Sequence, residues 1–163
     1  MKFIVARYVF SPIALILLCL SVSGASAQHS TGGASNHGAA EPKLLRPEEL
    51  VSILKSEKGP KPVIMQVGYR VLYAQAHVPG SEYVGPASSA DGIQQLRKRV
   101  EDLSRTRPIV LYCGCCPWDK CPNVNPAYKE LRGMGFNNVK VLYTPNNFGT
   151  DWVDKGYPVE KGE

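Results

Sequence analysis

Three short apolar runs constrain this chain most. Residues 62–67, 108–112 and 138–142 are rich in Val, Ile and Leu and show little alternation of apolar with polar. A strand that is apolar at consecutive positions has both faces buried, which is the habit of parallel sheets covered by helices. Helical spacing fills the sequence between these runs. Residues 47–55 open with Pro47, Glu48 and Glu49 and repeat apolar positions at Leu50, Ile53 and Leu54, so an amphipathic helix is expected there. Ile93, Leu96, Val100 and Leu103 keep the spacing of a second helix, with Asp91 as its cap. Asn125 and Pro126 start a third, with Asn as N-cap and Pro at the first helical position, and Gly133 and Gly135 end it. Residues 70–76 read as a helical turn and residues 82–84 as a short extended piece. The alternation gives an α/β fold with a mostly parallel central sheet flanked by helices on both faces.

Residues 1–27 carry the pattern of a secretory signal peptide. Lys2 and Arg7 form a positive start, residues 12–20 (including Cys19) an apolar middle, and Ala25-Ser26-Ala27 a small-residue cleavage site. The apolar middle is shorter than the roughly 20 residues a membrane span needs. An exported, periplasmic or secreted protein is therefore expected, with no membrane association after cleavage. Residues 28–42 are small and polar, including His29 and His37, and read as a flexible leader. Residues 43–163 are left to fold as one domain. The whole-chain formal charge of +5 is not gathered into any basic block or basic-aromatic stripe, so nucleic-acid binding is not expected.

Four of the five cysteines fall between Cys113 and Cys121, directly after the run 108–112 and just before the third helix. Sites in parallel α/β sheets form at the carboxyl ends of strands. Converging backbone N–H groups and a helix N-terminus there favour a thiolate over a thiol and can cradle an anion. Cys113 is thus a candidate nucleophile, and Gly114, Cys115, Cys116, Pro117, Trp118 and Lys120 form the candidate substrate-binding loop.

The sequence resembles the rhodanese-like family. The likeness rests on His77-Val-Pro-Gly-Ser81 with Tyr73 before it, on the strand and cysteine Ile109-Val-Leu-Tyr-Cys113, on Leu131 with residues 135–139, and on Trp152 with Gly156-Tyr-Pro-Val159. It extends over roughly residues 44–160. The resemblance implies a single rhodanese-like domain and a sulfurtransferase whose Cys113 takes sulfane sulfur from a small donor as a persulfide and passes it to a thiol acceptor. No resident cofactor is implied. This sequence departs from the family pattern at named places. Gln66 and Gly68 stand where Asp and Arg are usual, Trp118 stands at the usual Arg position of the active loop, and the loop is longer. A Gly-Gly is replaced by residues 143–148. These departures weigh against thiosulfate as the donor.

Three readings of Cys115, Cys116 and Cys121 stand side by side. They are resolving or relay thiols for Cys113, or they form a structural disulfide that pins the long loop of a binding module with a protein partner. The third reading is a soft-metal site on Cys113, Cys115, Cys116 and Cys121, although C-x-C-C-x4-C is not the usual paired knuckle. Tyr112-Cys-Gly-Cys-Cys116 also resembles the thioredoxin Cys-x-x-Cys, but only 47 residues follow Cys116, too few for most of a sheet. His77 is expected to hydrogen-bond backbone in its turn. Trp118 is left between lining the pocket and covering the core, and Trp152 and Tyr157 are expected in or near the core.

Overall fold

A computed structural model describes residues 41–162. The expected signal segment 1–27 and nearly all of the expected leader lie outside the described residues. Five parallel strands form one sheet: β1 (Lys43–Leu45), β2 (Val63–Gln66), β3 (Glu82–Tyr83), β4 (Ile109–Tyr112) and β5 (Val139–Leu142). Their spatial order is β1-β5-β4-β2-β3. All pairings are parallel, as the unalternating apolar runs predict.

Every residue of β2 and β4 is buried, because these strands are central and covered on both sides. Their side chains divide by the two-residue period of a strand. Val63, Met65, Ile109 and Leu111 enter one core, with Leu96 and Val100 of α3 (Ala90–Val100) and Ala127 and Leu131 of α4 (Val124–Gly133). Ile64, Val110 and Tyr112 enter the other, with Leu50 of α1 (Pro47–Lys55), Phe148 and Trp152. Trp152 is fully buried and Tyr157 packs beside it, as expected. The remaining elements are a short helix, α2 (Arg70–Gln75), a 3-10 turn (Trp118–Lys120) and a π-helical turn (Gly149–Val153) that carries Trp152 inward. Among the described residues no helix is long and apolar enough to cross a membrane.

Three local expectations are corrected. Ser89, not Asp91, caps α3, its hydroxyl accepting from the Gly92 N–H at 3.1 Å. Asp91 instead sits in the first turn, where a negative charge meets the positive helix end. That helix stops at Val100, and Leu103 reaches the core through the following turn. Helix α4 begins at Val124, before the expected Asn125. Pro126 is still tolerated, because the N–H it lacks at the third position would have no partner within the helix. Strand β1 has no counterpart in the sequence reading: it is three residues long with two exposed, too short for a period.

Candidate active site

Cys113 is the first residue after β4, at the carboxyl end of the sheet. It is 3% exposed. The loop leaves the strand, folds through the 3-10 turn and enters α4. The Trp118 N–H ties it to the Thr144 carbonyl at 3.1 Å, and Asn125 Nδ2 donates to the Asp119 carbonyl at 3.3 Å. This path returns Cys121, which is buried, to the side of Cys113. Cys113 Sγ lies 3.4 Å from Cys115 Sγ, and Cys115 Sγ lies 3.1 Å from Cys116 Sγ. All four sulfurs lie within 4.8 Å of one another. All four are free thiols. Cys115 is exposed and Cys116 half-buried, so the sulfurs run from the core to the surface.

The surroundings select which sulfur ionises. A hydrogen bond from the Cys121 thiol acts most strongly on Cys113. The Cys115 backbone and thiol and the Asn123 amide add further hydrogen bonds. Together they outweigh the burial that opposes ionisation and hold Cys113 at about 5. Burial, with hydrogen bonds to Cys116 and Cys113, pushes Cys115 up to about 12. The hydrogen bond to Cys113, then burial, holds Cys121 well above the usual thiol range. One sulfur is thus an anion and its neighbours are its donors. The thiolate is the reactive form. The rate of alkylation of Cys113 by iodoacetamide is therefore expected to rise with pH through about 5 and level off above it. An ordinary thiol would level off only above about 8.5. Peptide-resolved labelling across pH checks this, and a half-maximum near the ordinary value would refute it.

Two residues that the sequence reading gave no site role complete the cradle. Asn123 is fully buried. Its Oδ1 accepts from the Ser88 N–H at 3.0 Å and its Nδ2 donates to Cys113 Sγ at 3.7 Å. Gly68 follows β2, and a Cβ placed there would lie 2.7 Å from Cys113 Sγ. The sulfur occupies the space a side chain would take. Gln66 is buried beside it, its Oε1 accepting from the Gly68 N–H at 3.0 Å.

The rest of the expected loop is dispersed. Gly114 passes close to α2, where an added Cβ would lie 3.1 Å from Leu72 Cβ. It lines a cavity of about 510 Å³ with Leu72, Ala76, Phe148, Val159 and Lys161. Pro117 is half-buried and Lys120 exposed. Trp118 packs against the core and borders a separate groove with Tyr128 and Lys129. His77 meets the backbone as expected: its Nδ1 donates to the Tyr73 carbonyl at 2.8 Å, and its ring stacks on Tyr73 at 3.8 Å. Its turn is fastened to the end of β4, because the Val78 N–H donates to the Tyr112 hydroxyl at 3.2 Å and Ser81 Oγ lies 3.0 Å from that same oxygen.

The family profile described as a rhodanese-like domain matches residues 47–144, which include all five strands except β1 and the whole cysteine loop. The chain belongs to the rhodanese-like domain family. Solved structures agree on the rhodanese-like fold. The Alr3790 protein from Anabaena sp. is 22% identical with a TM-score of 0.55, over 72% of this chain and 82% of that one. A thiosulfate sulfurtransferase from Pseudomonas aeruginosa is 24% identical with a TM-score of 0.54, over 75% of this chain and 20% of that one. A variant of EanB in complex with hercynine is 20% identical with a TM-score of 0.57, over 76% of this chain and 28% of that one. The rhodanese-like domain thus spans only a minor part of the last two proteins. No curated protein matches the chain.

Proposed function

We propose that this rhodanese-like domain carries sulfane sulfur on Cys113. The observation that supports it is the buried Cys113 at the end of β4, held as an anion by surrounding donors while a chain of further sulfurs leads outward. In the loading step the Cys113 thiolate attacks the terminal sulfur of a donor. A new S–S bond forms, the donor's S–S bond breaks, and its electron pair leaves with the donor fragment. In the discharge step an acceptor thiolate attacks the outer sulfur and Cys113 leaves as the thiolate, so no external oxidant or reductant is consumed. In this reading Cys115, 3.4 Å from Cys113 and exposed, is the first acceptor: its thiol gives its proton to the anionic outer sulfur as its own sulfur attacks, and Cys113 leaves as the thiolate, with Cys116 the next acceptor.

The donor we favour is a polysulfide or a small persulfide. Lys120 is the one cation between Cys113 and Cys121, and it is exposed. Trp118 stands where the family usually has the loop Arg, so the sulfonate oxygens of thiosulfate find no guanidinium in the loop, and a polysulfide has no such oxygens to bind. The signal-peptide pattern of residues 1–27 supports placing this activity in an exported compartment. The acceptor is a small thiol or the thiol of a protein partner. The test is transfer from inorganic polysulfide to glutathione, followed by its persulfide. Catalysed transfer, faster than from thiosulfate, is expected. A rate equal to the uncatalysed one with both donors would refute the reading.

A further inference from the structure

We propose that the four loop sulfurs form a zinc site, and that zinc and sulfane sulfur exclude one another because both require Cys113. The spacing C-x-C-C-x4-C is not the usual paired knuckle of a zinc site. The fold nevertheless brings Cys113, Cys115, Cys116 and Cys121 within 4.8 Å of one another, with neighbouring separations of 3.4 and 3.1 Å. A tetrahedron with Zn–S bonds of about 2.3 Å has edges of about 3.8 Å, which lies inside that span. The four sulfurs therefore need only small side-chain adjustments to enclose one ion.

The donor chemistry narrows the ion. Sulfur is the sole donor type in the cluster. Four thiolates suit a soft or borderline ion in tetrahedral coordination and not the oxygen-seeking magnesium or calcium. Four protein donors also make a closed site of the structural zinc type, with no position left for water. The outer ring fits as well. Asn123 Nδ2 donates to Cys113 Sγ at 3.7 Å and is itself fixed by Ser88, the kind of support that orients a ligating sulfur. The absence of a side chain at Gly68 leaves Cys113 the room it occupies. Two ligands are buried and two face outward, so an ion enters from the solvent side without opening the core. Binding releases the thiol protons to solvent.

The exclusion of sulfur by zinc rests on the sulfur-carrier reading, whereas the site itself does not. The probe is cobalt(II), added to the reduced, chelator-treated protein without oxygen. One equivalent is expected to give thiolate-to-metal charge-transfer and tetrahedral d–d bands, which zinc then abolishes. Cys121→Ser, at a buried position, and Cys116→Ser, nearer the surface, are each expected to weaken binding by at least about tenfold. Absence of the bands overturns the site, as does binding in either variant as strong as in the unaltered protein. Zinc-loaded protein is expected to take up no sulfur from polysulfide until zinc is removed, and uptake with zinc still bound overturns the exclusion. Metal-free protein that takes up sulfur without ever binding cobalt removes the site and leaves the carrier. Protein that binds cobalt but takes up no sulfur when metal-free leaves the site and removes the carrier.

Discussion

Cys113→Ser is expected to lose sulfur loading by a factor on the order of 10³ or more, since a nucleophile's removal leaves only binding effects behind. The hydroxyl that replaces the thiol does not ionise near neutral pH, and every donor that favours the Cys113 anion then faces a neutral oxygen. The same substitution is nearly neutral in volume and leaves the strand end and loop ties in place, so the folded state is expected to persist. Sulfur uptake from polysulfide and thermal unfolding, measured on the same preparation, separate the two effects. Loading that survives in a folded Cys113→Ser protein would show that another sulfur is the carrier. The neighbours make that outcome a sharp one, because Cys115 lies only 3.4 Å away.

Gly68→Ala is expected to slow loading by about 10²-fold, through position alone. Its new Cβ would stand 2.7 Å from Cys113 Sγ and 3.2 Å from Gln66 Nε2. Non-bonded heavy atoms of this kind settle at about 3.5–4.0 Å, so one of the partners must move by about 1 Å. Gln66 is buried and its Oε1 is engaged by the Gly68 N–H, which leaves the sulfur to yield. A misplacement of about 1 Å at a reacting atom costs about 10²-fold in rate, while the overpacking costs about 1–3 kcal/mol of stability. The signature is a fall in loading rate in protein that still unfolds cooperatively, together with a shift in the pH at which Cys113 alkylates. An unchanged rate would mean that the sulfur has freedom the packing does not show.

The central sheet was legible because β4 is unbroken apolar sequence and β2 and β5 are interrupted only by Gln66 and Lys140, a pattern that suits a doubly covered strand. The place of Cys113 followed from the same pattern, as the first residue beyond a buried strand. What stayed hidden depends on contacts remote in sequence. Asn123 carries no signal of its own in the sequence, because its partner Ser88 is 35 residues away. Gly68 stood out only as a departure from the family pattern, and its reason is a sulfur 45 positions further along the chain. The four-sulfur grouping is one of the readings the clustered cysteines allow, but linear spacing does not show how the 3-10 turn at Trp118 carries Cys121 back to Cys113. Trp118 itself was left open between pocket and core, and the fold packs it on the core beside Tyr128 and Lys129.

Intact-mass analysis of the reduced, metal-free protein before and after polysulfide, with alkylation and peptide mapping, tests the carrier most directly. The expected result is a gain of one sulfur atom, mapped to Cys113, that disappears on addition of a thiol. Sulfur mapped to Cys115, Cys116 or Cys121 in protein whose Cys113 is blocked, or no gain with any donor, would contradict Cys113 as the carrier.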